Sequence, residues 1–138
     1  MARDANLILH DGTTFTSTIT PNSLTRSGGS AVLDIGKTGM EGLWVQMAIT
    51  TAVAGSSPTV DIKLQASSSA TFASDIEDLG AFKQVTDTVP GAGLGRWEKQ
   101  ITTKRRYLRA VITVGGTLTT GSIFWIHVVS GPNRDSVA

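Results

Sequence analysis

Two histidines, His10 and His127, and no cysteine stand among the 138 residues, so the side chains that most often hold metals or attack substrates are nearly missing. Two imidazoles joined by a carboxylate can bind a metal ion, but the clustered His and Glu spacing of such sites is absent. His127, inside an apolar run, reads better as a hydrogen-bonded, partly buried histidine. Gly36-Lys37-Thr38 imitates the end of a phosphate-binding loop, yet position 31, where that loop needs its first glycine, is Ala31. Gly91-Ala92-Gly93-Leu94-Gly95 lacks the spacing of a dinucleotide fingerprint and reads as a loop. Glu77 and Asp78 are neighbours, which on an extended chain point to opposite faces and make a poor acid–base pair. No Gly-x-Ser-x-Gly elbow occurs. The expectation is a protein without catalytic residues, cofactor or metal.

Two groups of side chains remain that could recognise a partner. Trp44, Trp97 and Trp125 can stack on sugar rings when exposed, or pack in a core or subunit interface, the more common use. Trp97, between Arg96 and Glu98 and just after a glycine-rich loop, is the one expected to be most exposed. Lys104, Arg105, Arg106 and Arg109 form a basic cluster with three readings: a solvated strand entrance, a contact for acidic protein surface, or a nucleic-acid site. Single-stranded nucleic acid wants several aromatics among the cations, and only Tyr107 is there. Arginine's planar fork suits carboxylates across a protein interface. The candidate contact residues are therefore Trp97, Lys104, Arg105, Arg106 and Arg109.

Twelve Lys and Arg against eleven Asp and Glu give a net charge of +1, which offers no global field to collect nucleic acid or an anionic membrane. Leu7 to Leu9 is too short for the apolar core of a secretory signal, and Ile123 to Val129, the longest apolar run, is far below a membrane span. The chain is expected to stay soluble in the cell that makes it.

The elements that must position these side chains are strands. Val60 to Ser67 alternates strictly, with Val60, Ile62, Leu64 and Ala66 on one face. Gly42 to Ile49 puts Leu43, Val45, Met47 and Ile49 on one side and Trp44, Gln46 and Ala48 on a half-covered other side. Tyr107 to Val114 turns Leu108, Ala110, Ile112 and Val114 inward, and Ile123 to Val129, apolar on both faces, reads as a central strand. Gly115-Gly116-Thr117 is expected to be a tight turn between these last two. Shorter candidates are Ala31 to Ile35, Ala81 to Val85 and Arg96 to Thr102, with weak ones at Asn6 to His10 and Phe15 to Ile19. Ala54-Gly55-Ser56-Ser57-Pro58 and Val89-Pro90-Gly91 read as turns, and Ser69 to Asp75 as the one helical turn.

Eight or nine short strands with no convincing helix mean an all-β, antiparallel sandwich or barrel. One domain is expected over 1–138, with residues 1–30 a polar N-terminal arm and 131–138 a polar tail.

Several segments together resemble the jelly-roll cement, or decoration, proteins of tailed-phage capsids: Leu33-Asp34-Ile35-Gly36 followed by a glycine-led strand, Val60 to Ser67, Ala70 to Phe72, Leu79-Gly80, Arg106-Tyr107-Leu108-Arg109, and Val114 to Thr117 leading to Thr120-Gly121. The similarity runs from about residue 30 to residue 130, with Arg106 to Arg109 the best match. The resemblance implies a jelly-roll-like β-sandwich of about eight strands that forms a homotrimer on the outer surface of the virion and clamps neighbouring major capsid proteins. It implies no catalytic site, no nucleic-acid or membrane partner, and synthesis in the host cytoplasm. The longer polar N-terminal segment and the tryptophan of the last strand depart from that pattern. The alternative is a carbohydrate-binding β-sandwich module, resting on the tryptophans.

Overall fold

Where apolar and polar residues alternate, the chain is extended, because alternation leaves one face to bury and one to solvate. The computed structural model describes residues 7–25, 29–51, 53–87, 95–120 and 123–129. Nine strands lie among them: β1 (Ile8–Asp11), β2 (Leu33–Asp34), β3 (Met40–Thr51), β4 (Ala54–Ser67), β5 (Ile76–Ala81), β6 (Val85–Thr86), β7 (Gly95–Thr103), β8 (Tyr107–Thr120) and β9 (Ile123–Val129). They form two antiparallel sheets, ordered β1-β9-β3-β7 and β2-β8-β4-β5, with β6 also paired to β4.

The pairs are nested: β1 with β9, β2 with β8, β3 with β7, β4 with β5. Successive pairs alternate between the sheets, so one long antiparallel ladder is wound into a barrel-like sandwich. That is the jelly-roll wind. Leu43, Val45, Met47 and Ile49 from β3, Phe124, Ile126 and Val128 from β9, Val60, Ile62 and Leu64 from β4, and Leu108, Ala110 and Ile112 from β8 meet in a single core. β9 lies between β1 and β3, the central place its two apolar faces require.

Five expectations need correction. The N-terminal segment is not a projecting arm in its described part: Leu9, His10 and Phe15 are buried, β1 is a sheet strand, and Ile19 bridges Ile112. Gly115 to Thr117 is no hairpin turn, since β8 and β9 belong to opposite sheets and β8 runs on to Thr120. Thr117 pairs instead with Ser56, in the other supposed turn, and Gly115 with Thr59, across an irregularity between Ser56 and Thr59. A Cβ on Gly55 would strike the Thr117 carbonyl and one on Gly116 the Ser57 carbonyl, so these glycines let two strands close at a bulge. Ser69 to Asp75 is an irregular loop with Phe72 and Asp75 at positive φ, and the expected strand Ala81 to Val85 is the gap between β5 and β6. The 131–138 tail and the Val89-Pro90-Gly91 turn lie outside the described residues.

Candidate protein-contact site

The β7–β8 turn carries Lys104, Arg105 and Arg106 at one end of the sandwich, beside the Asp34 end of β2 and the Ile76 end of β5. The turn is tight because the Thr103 hydroxyl accepts the Arg105 N–H at 3.1 Å and donates to Glu77 Oε1 at 2.8 Å. Arg105 reaches β5: its Nη2 lies 2.8 Å from Asp75 Oδ1, its Nη1 3.1 Å from Glu77 Oε2, and its Nε donates to the Asp75 carbonyl. Glu77, taking both Thr103 and Arg105, joins the two sheets at this end.

Arg106 reaches the other way. Its Nε and Nη2 grip Asp34 in a two-pronged pair at 2.9 and 2.7 Å, and its guanidinium lies 5.2 Å from the centre of the Tyr107 ring. Asp34 also accepts the Gly36 N–H at 3.0 Å, which shapes the loop out of β2. The Arg106 hydrogen bond, followed by that of Gly36, holds the Asp34 carboxyl below the usual carboxylate range. Bonds from Arg105 and then Ser68 do the same for Asp75. Both guanidinium groups are pushed upward, first by the hydrogen bonds to Asp75 and Asp34.

Arg109 lies apart from this surface, at 8% exposure on the outer side of β8. Its Nε and Nη2 both donate to Gln65 Oε1, at 3.0 and 2.7 Å, its Nη1 donates to the Pro21 carbonyl at 2.9 Å, and its guanidinium sits 4.2 Å over the Phe72 ring. Gln65 passes the charge outward by donating to Asp78 Oδ1 at 2.7 Å. Burial lowers the Arg109 pKa from its ordinary value. As a surface contact residue Arg109 is therefore corrected: it staples the N-terminal segment and the β4–β5 loop to the sheet.

Lys104 is exposed, with no hydrogen bond or ion pair among the described residues. Trp97 is half-buried like Trp44 and Trp125, so it is not the exposed exception expected of it. It pairs with Met47 on the core-facing side of β7, packs on the core and folds its ring back over Gly95. Trp44 and Trp125 instead share the outer face of the first sheet, flanking the buried pair Gln46 and His127. His10, opposite Ile126, faces the core, whereas His127 faces outward, so the two imidazoles do not converge. Among the described residues no group of His, Asp or Glu is placed to hold a metal, and no helix is long and apolar enough to cross a membrane.

Two of the four cations, Arg105 and Arg106, are thus matched by this chain's own acids, and Arg109 by an amide, a backbone carbonyl and a ring. Sequence reasoning chose the cations and missed Asp34, Asp75, Glu77, Gln65 and Phe72. Those partners lie 28 to 72 residues from the arginines they hold, from Arg105–Glu77 at the short end to Arg106–Asp34 at the long one. No local pattern marks such a pair.

A family model described as Bbp16 matches residues 11–126, from the end of β1 into β9. The chain belongs to the Bbp16 family. The part it shares with the Bbp16 model contains the whole arginine network and almost the entire sandwich. No curated protein matches the chain.

Proposed function

We propose that this Bbp16-family protein is a structural virion component, a phage capsid cement subunit that binds the outside of the head and bridges neighbouring major capsid proteins. One observation carries the reading. The segments that resemble cement proteins are scattered over the sequence, yet most of them lie on one sheet, Leu33-Asp34 on β2, Val60 to Ser67 on β4, Leu79-Gly80 on β5 and Arg106 to Thr117 on or beside β8, while the glycine-led strand is β3 of the other sheet and Ala70 to Phe72 lies in the β4–β5 loop. Asp34 and Arg106, from two of those segments, are an ion pair, and Phe72 and Arg109, from two of them, are in contact. Most of the resemblance therefore falls on one sheet and its loops, which supports the reading.

Such a subunit needs rigidity and repetition, not catalysis. Symmetric copies multiply modest contacts, so weak clamps can oppose pressure on a shell. The homotrimer belongs to the same proposal. Mixing the protein with empty expanded heads is expected to give stoichiometric binding and a higher rupture temperature, and heads that neither bind it nor gain stability would overturn the reading. Light scattering tests the trimer separately: a monomer or dimer that still binds heads would remove only that clause.

Carbohydrate binding stays as a second reading because Trp44 and Trp125 present half-exposed rings on one sheet face. Glycan-array binding lost in Trp44→Ala and kept in Trp97→Ala would favour it.

A further inference from the structure

Three connections meet at the end of the sandwich that holds the arginines: the loop out of β2, the β4–β5 loop and the β7–β8 turn. The first is closed by glycine. Gly36 and Gly39 both take positive φ, and the Gly39 N–H donates to the Gly36 carbonyl at 3.0 Å, which leaves Lys37 and Thr38 at the tip. A Cβ on Gly39 would strike the Thr103 carbonyl and the Lys104 backbone, so this turn abuts the β7–β8 turn directly. The Ile35 N–H donates to the Arg106 carbonyl at 2.8 Å, and the Arg106–Asp34 pair closes the same seam. Arg105 ties in the β4–β5 loop through Asp75 and Glu77. Three segments distant in sequence are thereby locked into one platform.

The charges of the platform are not all matched within it. Asp34 is held by Arg106, and Asp75 and Glu77 by Arg105. Lys37 and Lys104 are exposed on the two abutting turns and make no hydrogen bond or ion pair among the described residues. Glu41, exposed at the start of β3, pairs with neither of them. Beside them Ile76 is 46% exposed, one of three large apolar side chains left open on the described surface. It follows Asp75, which sits at φ +55° and whose carbonyl accepts the Arg105 Nε–H, so the same arginine that neutralises the acid fixes the isoleucine's backbone.

We propose that this end, with Lys37, Lys104 and Ile76 as its contacts, is the docking surface for a carboxylate-bearing face of another protein. The identity of that partner rests on the cement reading, under which it is the outer face of the major capsid protein; its chemistry does not. Arg105 and Arg106 then serve as framework, and the lysines, which no acid of this chain takes up, meet the partner's carboxylates. Because the turns are already locked together, binding need not order the backbone that carries the contacts, which lowers the entropic cost of association. Nucleic acid fits less well. Stacking needs open aromatic faces, whereas the Tyr107 ring already lies 5.2 Å from the Arg106 guanidinium, and two free cations neutralise few phosphates.

Co-sedimentation with empty expanded heads tests the assignment. Lys37→Glu combined with Lys104→Glu is expected to weaken binding by about tenfold or more and to abolish its decline as salt rises, with the melting temperature unchanged. Ile76→Ser should weaken binding and keep the salt dependence. Lys83→Glu, the same charge change at an exposed lysine between β5 and β6, should alter neither. Heads that bind the double variant as well as the wild type, or that lose Lys83→Glu equally, would overturn the docking end and leave the cement reading standing. Heads that bind no wild-type protein would remove the cement reading. In that case, or should the double variant fold poorly, amide shifts of the wild type on adding a short polyglutamate peptide decide. They must centre on Lys37, Lys104 and Ile76; shifts spread equally to Lys83, or equal competition by an oligothymidylate, overturn the proposal.

Discussion

Arg109 is a cation that folding removes from water without giving it a carboxylate, and it is tolerated because each part of the guanidinium has some other partner. Gln65 takes two donors, Pro21 a third, and the Phe72 ring lies under the face. Truncation would leave the Gln65 and Pro21 oxygens buried without donors. Arg109→Ala is expected to cost about 3 kcal/mol, read from the denaturant midpoint. Arg109→Lys should recover little of it, since one ammonium cannot reach Gln65 and Pro21 while stacking on Phe72. A loss below about 0.5 kcal/mol, the size of an ordinary surface substitution, would refute the staple. Arg105 and Arg106 differ because their partners are ionised and near water. Asp34 and Asp75 have folded pKa values below 3.8, so the stability they contribute is present above that value and is lost as pH falls through the lowered one. Arg106→Gln is expected to return Asp34 toward 3.8 in an NMR titration; an unmoved Asp34 would show that Gly36 alone sets it. The cations were legible in the sequence because they are crowded together. Their roles were not, since burial and a partner 72 residues away, as at Arg106 and Asp34, leave no trace in local pattern.

At the scale of the element, alternation was reliable wherever one face meets the core and a covered or wet face lies opposite. Val60 to Ala66 has its even positions buried, as its pattern requires, and Ile123 to Val129 is central. β5 was missed because it is an edge strand with mostly exposed residues, Ile76, Asp78 and Gly80 among them, which offer no apolar stripe. Gly55 and Gly116 were misread for a different reason: glycine serves a turn and a bulge equally well, and only the opposite strand decides which. Gly116 sits at φ +65° against the Ser57 carbonyl. Gly116→Ala is accordingly expected to cost about 1–3 kcal/mol through strain and collision, visible as a lower melting temperature with the sheet retained by circular dichroism. An unchanged melting temperature would mean that the β4–β8 ribbon can slip past its bulge.

The jelly-roll wind leaves four sheet edges, and the chain treats each one. The β1 edge is met by residues 29–31, and the β8 edge, beyond two-residue β2, by Thr18 and Ile19. β5 is short and carries Glu77 and Asp78. β7 is the longest edge strand at nine residues and the one most suited to pairing with another copy. Its guard is Lys99, which pairs with core residue Val45 on the inward side and lays its Cε and Nζ across Gly80 of the opposite sheet. A charge pointing inward on an edge makes pairing with a second sheet costly, because the approaching strand would desolvate it. Association by way of loops and faces, as the cement proposal requires, therefore does not compete with edge-to-edge growth. Lys99→Val replaces the guard with a strand-forming apolar residue. It is expected to fold with equal or higher thermal stability but to form larger species as concentration rises, seen by sedimentation velocity, where the wild type keeps one size. A variant as monodisperse as the wild type would show that the twist of β7 or its neighbouring loops, rather than Lys99, keeps the edge closed.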